Sequence, residues 1–317
     1  MRPESVVASA PMTVVVIGAS GFIGKHLVGV LAAQPDLNVR VLVHRSKACA
    51  CAGVVYAEGD LLAVETLDAA FVEDCVVINL AYLARDNLQA VANLAKACAR
   101  KRVRRLIHCS TAVVAGRSAE TVVTEETPCH PVSEYEKTKL QMEQILLEMS
   151  AGQFELTILR PTAVFGPGGR NLLKLAQGLA GKNMWVNYIK SSLFGRRSMN
   201  LVAVENVVAA LEYLIRAGEI DRQIFIISDD DSPLNNYRDI EGRLLAAFGR
   251  SCVMPRLPIP GFVLMWLLRL IGRSNSNPSV KYSNRKLAER GFCKPRELGG
   301  AVDDFAKWYH GMTLTGA

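Results

Sequence analysis

Short apolar runs alternate with segments of helical periodicity through the first half of the chain. The strand-like runs lie at 13–18, 39–45, 53–60, 76–81, 104–111 and 155–161. Apolar residues recur at helical spacing near 23–33, 63–71, 86–100 and 134–149. Continuously apolar strands separated by helices form a parallel sheet with helices on both faces. The pattern therefore predicts an α/β fold with a doubly wound parallel sheet, whose ligand lies beyond the carboxyl ends of the strands.

The rhythm changes after residues 165–169, where the alternation becomes irregular and prolines recur. We expect a sheet domain over 1–166 and a smaller C-terminal lobe over 167–317, with about 200–228 returning to the sheet through a helix at 204–215 and a strand at 224–228. The most apolar segment, 261–272, is too short to span a bilayer and contains Arg269. A buried helix is the expectation there, and peripheral membrane contact is the alternative.

Composition and charge exclude several classes of protein. Half of the 317 residues are apolar, 21% are charged and the net charge is +7, which is an ordinary globular composition. The basic residues are not interspersed with aromatic side chains, on which the bases of a nucleic acid would stack, so no nucleic-acid partner is expected. The eight cysteines show no zinc spacing, so no metal is expected. Reduced thiols and the lack of a signal-peptide pattern in the first twelve residues favour a cytoplasmic protein.

Three glycines, Gly18, Gly21 and Gly24, stand between the first strand and the first helix. Such spacing lets the backbone turn tightly and approach a pyrophosphate, which then faces the amino terminus of the helix. A glycine-rich turn alone is weak evidence, but here the strand, the helix and the length of the βαβ unit agree. The sequence therefore predicts a dinucleotide site in a Rossmann sheet.

A second motif places Tyr135 and Lys139 on one face of the helix at 134–149. A tyrosine is a poor base at neutral pH, and a nearby ammonium stabilises the phenolate and lowers the tyrosine pKa. Such a tyrosine exchanges a proton with a substrate hydroxyl or carbonyl. Ser110 and Thr111, at the end of the fifth strand, offer a third hydroxyl for the same oxygen.

These motifs resemble the extended branch of the short-chain dehydrogenase/reductase superfamily, or an atypical relative of it. That branch includes nucleotide-sugar epimerases, dehydratases and keto-reductases. The similar segments lie at 18–24, 58–61, 79–81, 159–168 and 200–208, in family order. The resemblance implies Thr111, Tyr135 and Lys139 as catalytic residues, because the family pattern counted back from Gly116 selects Thr111. It also implies hydride transfer between a substrate carbon and C4 of a nicotinamide.

The resemblance also implies a set of cofactor contacts, with Asp60 accepting from the adenine amino group. The set is Gly18, Ser20, Gly21, Phe22, Ile23, Gly24, His44, Arg45, Asp60, Leu61, Leu80, Ala81, Tyr135, Lys139, Pro161 and Val164. The second strand ends in His44, Arg45 and Ser46, without the acid that holds an NAD ribose. NADP is therefore favoured over NAD, with Arg45 pairing with the 2′-phosphate.

Departures from the family pattern leave the substrate open. The loop at 82–86 is short, and Ala115 stands where the family usually has a tyrosine. Arg170, Arg196 and Arg197 suit a diphosphate, so the leading expectation is a nucleotide-diphosphate sugar, acted on by a 4-epimerase or a 4-keto reductase. One alternative is an NADP-dependent reductase or dehydrogenase of an apolar alcohol or ketone, of sterol or flavonoid type. Another is a non-catalytic NADP-binding sensor or scaffold.

Two helices suggest self-association. The patterns at 86–100 and 134–149 carry apolar residues on more than one face. In the family, the equivalent helices often pair across a two-fold axis, so a homodimer is expected. The alternative is that the second face packs under the C-terminal lobe.

Overall fold

The computed structural model describes residues 11–44, 51–118, 120–181, 184–250 and 277–315, with single positions at 260, 262–263, 266 and 270. The strands are β1 (Met12–Ile17), β2 (Leu37–Val43), β3 (Val55–Glu58), β4 (Val76–Asn79), β5 (Arg105–Cys109), β6 (Val122–Val123), β7 (Glu155–Pro161), β8 (Ala163–Phe165), β9 (Leu201–Ala203), β10 (Gln223–Ile227) and β11 (Lys281–Tyr282).

The helices of the described residues connect these strands. They are α1 (Phe22–Ala32), α2 (Asn87–Arg100), α3 (Glu134–Met149), α4 (Leu173–Ala180), α5 (Met184–Phe194), α6 (Val204–Arg216), α7 (Tyr237–Ala247), α8 (Arg285–Glu289) and α9 (Leu298–Thr315). Two short 3₁₀ helices lie at Val64–Ala69 and Ala112–Ala115.

The main sheet has seven strands in the order β10-β7-β5-β4-β1-β2-β3. The pairs β1–β2, β1–β4, β2–β3, β4–β5 and β7–β10 are all parallel. The strand order reverses at β1, and the strands from β10 to β2 are mostly buried, as in a doubly wound sheet, whereas the edge strand β3 has no buried residue. The predicted α/β fold class is confirmed.

The chain forms two compact units, and each has its own core. The first unit comprises Met1–His108 and Ile145–Leu156, and the second comprises Cys109–Gln144 and Thr157–Ala317. In the first, α1 and α2 bury apolar stripes that include Leu27, Leu31 and Leu94. In the second, α4, α7 and α9 pack around Phe165 and Phe305. The domain boundary at 166 stays a prediction.

The predicted helix at 63–71 is a 3₁₀ helix over Val64–Ala69, so that prediction is corrected. The Thr66 hydroxyl donates to the Ala63 carbonyl at 2.6 Å, and the Asp60 N–H donates to the Thr66 oxygen at 2.8 Å. A hydroxyl that bonds to nearby backbone groups competes with α-helical hydrogen bonds. These bonds tie the segment back to the turn at Asp60 and favour the tighter helix.

The described positions of the apolar segment at 261–272 are more exposed than those of the buried helix that we expected. At its described positions, Phe262, Trp266 and Leu270 are 61–67% exposed, and the other positions except Val263 lie outside the described residues. No helix in the described part of the chain is long and apolar enough to cross a membrane.

Candidate cofactor and catalytic sites

The glycine turn after β1 is packed too tightly for side chains at two of its positions. Gly18 has φ +81°, and a Cβ there would lie 2.8 Å from the backbone N of Ala81. A Cβ at Gly24 would lie 2.6 Å from the Cα of Ala19. The Gly21 N–H donates to the Gly18 carbonyl at 3.0 Å. Glycine is therefore required at Gly18, where the turn approaches the backbone that follows β4. Glycine is also required at Gly24, where the first turn of α1 packs on the backbone of the glycine turn.

The amino terminus of α1 is left open to an anion. Its N-cap residue is Gly21, which supplies no side-chain cap, and the first turn contains no acidic residue. The positive end of a helix with such a terminus favours negative charge. Phe22, Ile23 and Gly24 form this first turn, as the sequence predicts.

A cavity of about 360 Å³ lies at the carboxyl ends of β1, β2 and β4 in the first unit. Most of the predicted cofactor residues of this unit line it: Gly18, Ser20, Gly21, His44, Asp60, Leu61, Leu80 and Ala81. Arg45 lies outside the described residues. Sequence reasoning missed Tyr82 and Leu83, which also line the cavity. Their position directly after the end of β4 is the signal that points to them.

Asp60 is held in a fixed position on the cavity wall. One carboxylate oxygen, Oδ1, accepts from the Leu62 N–H at 2.9 Å, and Oδ2 lies 3.3 Å from Nε2 of His44. Both side chains are partly exposed, at 36% for Asp60 and 52% for His44. The arrangement offers an anchored acceptor and an imidazole to a ligand in the cavity.

The second unit contains the predicted catalytic residues, and a capping box starts their helix. The Glu136 N–H donates to the Ser133 hydroxyl at 3.3 Å, and the Glu136 carboxylate accepts from the Ser133 N–H at 3.3 Å. This reciprocal pair satisfies free amides at the amino terminus of α3. Tyr135 therefore lies in the first turn of α3, where it is 43% exposed and close to the positive end of the helix.

Lys139 is buried one helical turn further along α3, with only 4% of the residue exposed. Its Nζ donates to the carbonyl oxygen of Cys109 at 3.2 Å. Burial lowers the pKa of Lys139, although Cys109 and Glu143 partly offset this effect. Burial also raises the pKa of the Cys109 thiol to about 11, so that the thiol is neutral at neutral pH. An ammonium thus lies at the last residue of β5, immediately before Ser110 and Thr111.

Thr111 and Ser110 follow that strand end, and both are buried. Thr111 is the N-cap of the 3₁₀ helix at Ala112–Ala115, and its hydroxyl oxygen accepts from the Val113 N–H at 3.5 Å. The Ser110 hydroxyl has no hydrogen-bond partner among the described residues, and neither has the hydroxyl of Thr162 beyond β7. A buried hydroxyl without a partner is unfavourable, so each of these two groups destabilises the fold.

A buried ion pair fixes α3 to β7. The guanidinium of Arg160 contacts both carboxylate oxygens of Glu143, with Nε to Oε1 at 3.1 Å and Nη2 to Oε2 at 2.5 Å. The side chains are 6% and 1% exposed. Since Glu143 is one turn beyond Lys139, this pair holds the face of α3 that carries Lys139.

The remaining predicted residues also lie in the second unit. Pro161 ends β7 and is buried, while Val164 lies in β8 and pairs with Val202 of β9. Arg170 and Arg196 are exposed. The Arg197 guanidinium lies 5.7 Å from the ring centroid of Phe194, at the end of α5. Arg196 and Arg197 are consecutive residues just beyond the end of α5, and Arg170 follows the turn after β8.

Comparison with known proteins assigns the family. Residues 14–227 match the family described as "NAD dependent epimerase/dehydratase family". The chain belongs to this family. It is accordingly an enzyme of the extended short-chain dehydrogenase/reductase type, as the motifs predicted, in a family that is NAD-dependent.

Relatives of this epimerase/dehydratase chain carry different names. It is 26% identical to an Escherichia coli O157:H7 protein named N-acetyl-alpha-D-glucosaminyl-diphospho-ditrans,octacis-undecaprenol 4-epimerase, over 92% of this chain and 93% of that protein. It is 29% identical to the Schizosaccharomyces pombe sterol-4-alpha-carboxylate 3-dehydrogenase erg26, decarboxylating, over 51% of this chain and 53% of that protein.

Solved structures share the fold of this family member. UDP-glucuronic acid 4-epimerase from Bacillus cereus, in complex with NAD, superposes with a TM-score of 0.71 at 18% identity. The match covers 95% of this chain and 99% of that one. At this identity the likeness establishes the fold.

Proposed function

We propose that this enzyme moves a hydride between a nicotinamide and C4 of a nucleotide-diphosphate sugar, as a 4-epimerase or a 4-keto reductase, with Thr111, Tyr135 and Lys139 as catalytic residues. The observation that carries the proposal is the buried Lys139 ammonium, hydrogen-bonded to Cys109 and one helical turn from Tyr135. Burial of a lysine is unfavourable, and here a chemical role accounts for it, because the ammonium stabilises the phenolate of the neighbouring proton-transfer tyrosine.

Each of the three residues has a separate role. The Tyr135 hydroxyl exchanges the proton of the substrate C4 oxygen, and the Lys139 ammonium stabilises the phenolate that forms when the proton is absent. The Thr111 hydroxyl donates a hydrogen bond to the same substrate oxygen. The nicotinamide cofactor, when bound, supplies the hydride acceptor or donor at its C4.

The first unit fits a dinucleotide. Its cavity is walled by the glycine turn, α1 presents an uncapped amino terminus, and Asp60 offers a fixed acceptor for an adenine amino group. The family is NAD-dependent, and the absence of an acid after β2 supports a preference for NADP. Isothermal titration with both cofactors tests this preference, and NAD binding as tightly as NADP would refute it.

The diphosphate of the substrate is assigned to Arg170, Arg196 and Arg197. Arginine pairs with phosphate oxygens through parallel hydrogen bonds, and the aromatic ring of Phe194 restrains Arg197. Stabilisation of the protein by UDP in a thermal-shift assay, reduced in Arg197→Ala, supports this assignment. No shift with any nucleoside diphosphate would remove the nucleotide sugar as substrate.

Mass spectrometry of the gently purified protein separates the two reactions. An epimerase regenerates its cofactor within each cycle and retains it, whereas a reductase exchanges its cofactor after each turnover. Retained NAD supports the epimerase. An empty protein that takes up NADPH supports the reductase.

A second candidate is the oxidation or reduction of an apolar alcohol or ketone. The similarity to a relative named as a sterol-4-alpha-carboxylate dehydrogenase favours it, as does the short loop at 82–86. Cofactor turnover with a sterol, without a thermal shift from UDP, would favour this candidate over the sugar.

A further inference from the structure

Helix α5 has its polarity reversed relative to an ordinary surface helix. Trp185, Val186 and Ile189 are 67%, 40% and 60% exposed, whereas Ser191 and Ser192 are 1% and 5% exposed. A surface helix normally buries its apolar stripe and exposes its polar one. We call Trp185, Val186 and Ile189 the α5 apolar face.

The polar side of α5 is fastened to the second unit, so the helix is held in this orientation. The Ser191 hydroxyl donates to the Glu241 carboxylate of α7 at 2.5 Å. The Asn187 side-chain amide donates to the Gly178 carbonyl of α4 at 2.8 Å. Rotation of the helix to bury Trp185 would break both bonds and expose two serines that are now buried.

Positive charge accompanies the exposed apolar residues. Lys190 follows Ile189 on the helix and is exposed, and the whole chain carries a net charge of +7. The same unit also exposes Phe262, Trp266 and Leu270, spaced four residues apart. An exposed tryptophan on the same helix as an exposed lysine is typical of helices that lie in the headgroup layer of a membrane.

We propose that the α5 apolar face binds the surface of a bilayer that contains anionic phospholipid. The indole of Trp185 and the Ile189 side chain enter the boundary between headgroups and acyl chains, and Lys190 contacts lipid phosphates. At eleven residues α5 is too short to span the bilayer, so contact is confined to one leaflet. Lys190 favours a bilayer over a second copy docked through this face, because a two-fold contact between two α5 apolar faces would bring the two Lys190 ammonium groups together.

Vesicle sedimentation of the full chain tests this proposal, and it requires no substrate or cofactor. The probes are vesicles of phosphatidylcholine with about 30% phosphatidylglycerol, which carry a negative surface potential, and vesicles of phosphatidylcholine alone. The test variant is Trp185→Ser/Ile189→Ser. The matched control is Val30→Ser/Val55→Ser, which removes two exposed apolar side chains of the first unit that lie outside the helices expected to form the homodimer. Thermal unfolding checks that each protein is folded.

We expect wild type and the control to bind the anionic vesicles, and the test variant to bind at least about tenfold more weakly, since two apolar side chains stay in water. Lys190→Glu should weaken binding to anionic vesicles several-fold and leave any binding to neutral vesicles unchanged. Fluorescence of the wild type should shift to the blue with vesicles, and less so in Trp185→Phe.

Three results would overturn the proposal. They are a wild type that stays in the supernatant with anionic vesicles, equal binding by the test variant and the control, and a lipid-free dimer that Trp185→Ser/Ile189→Ser dissociates. The last would make a second copy the occupant of the α5 apolar face. None of these results bears on whether the enzyme acts on a sugar.

Discussion

Gly21→Val separates the binding role of the glycine turn from its structural role. Gly21 has φ −73° and ψ 172°, which any residue adopts, and a Cβ there meets only the Gly18 carbonyl oxygen at 3.2 Å. Gly21 also lines the cavity, so the branched side chain would occupy space beside the amino terminus of α1. We expect a stability loss of about 1 kcal/mol, in the range of a changed N-cap.

The effect on cofactor binding should be far larger. The valine would hold the pyrophosphate away from the free amides of α1, and hydrogen bonds to a charged group contribute about 1.5–3 kcal/mol each. Loss of two such bonds weakens the affinity for the dinucleotide cofactor about 10²–10⁴-fold. Isothermal titration gives the dissociation constant, and thermal unfolding without cofactor gives the stability.

Two further glycines of α1 serve as comparisons. A Cβ added at Gly29 would have no atom within 4 Å, so alanine fits there without a clash. Since alanine favours the helix over glycine, Gly29→Ala should raise the free energy of unfolding by up to about 1 kcal/mol and leave the cofactor affinity unchanged. Gly24→Ala should destabilise the fold by about 1–3 kcal/mol, because its Cβ would overlap backbone. A folded Gly21→Val protein with unchanged affinity for the dinucleotide that the wild type binds would refute the assignment of this turn to the cofactor.

Four other predictions concern catalysis, stability and assembly. Tyr135→Phe should reduce turnover about 10²–10⁴-fold, the effect of a lost acid or base, with little change in cofactor affinity; near-normal turnover on the true substrate would refute the mechanism. Lys139→Met should impair both turnover and cofactor binding. Burial lowers the pKa of Lys139, so the folded wild type binds the proton of this ammonium more weakly than the unfolded chain does. The stability of the wild type therefore rises with pH just below the unfolded pKa of about 10.5. Denaturant unfolding should therefore find Lys139→Met at least as stable as wild type at pH 7, with its advantage shrinking towards pH 10; a less stable variant at pH 7 would contradict this. Glu143→Gln leaves Arg160 buried without a counter-ion and should lower the free energy of unfolding by about 3–5 kcal/mol. Arg102→Ala removes an ion pair with Glu73 whose side chains are 81% and 70% exposed, and it should lower the free energy of unfolding by less than about 1 kcal/mol. Equal losses for the two variants in denaturant unfolding would count against this account of the buried pair. Light scattering should find the expected homodimer at micromolar concentration, and a monomer would argue against it.

Local spacing in the sequence was enough to predict the sheet and the two motifs. Continuous apolar runs between helical segments require a sheet buried on both faces, and the strands β1, β2, β4, β5 and β7 lie where those runs predicted. The glycine spacing predicted the turn at the start of α1, and the four-residue spacing predicted Tyr135 and Lys139 on one helix face. Each of these features depends on backbone geometry within a few residues, which is why a single sequence specifies them.

Contacts between distant residues decided the rest. The hydrogen bond from Lys139 to Cys109 joins residues thirty positions apart, and no periodicity indicates that this lysine is buried. The segment after Asp60 became a 3₁₀ helix because Thr66 bonds back to the turn. The reversed polarity of α5 depends on Glu241, fifty residues beyond the Ser191 that it accepts from. A sequence pattern records which side chains are apolar, but only the folded chain determines which buried acceptor each polar group finds, and therefore which face of a helix is left in water.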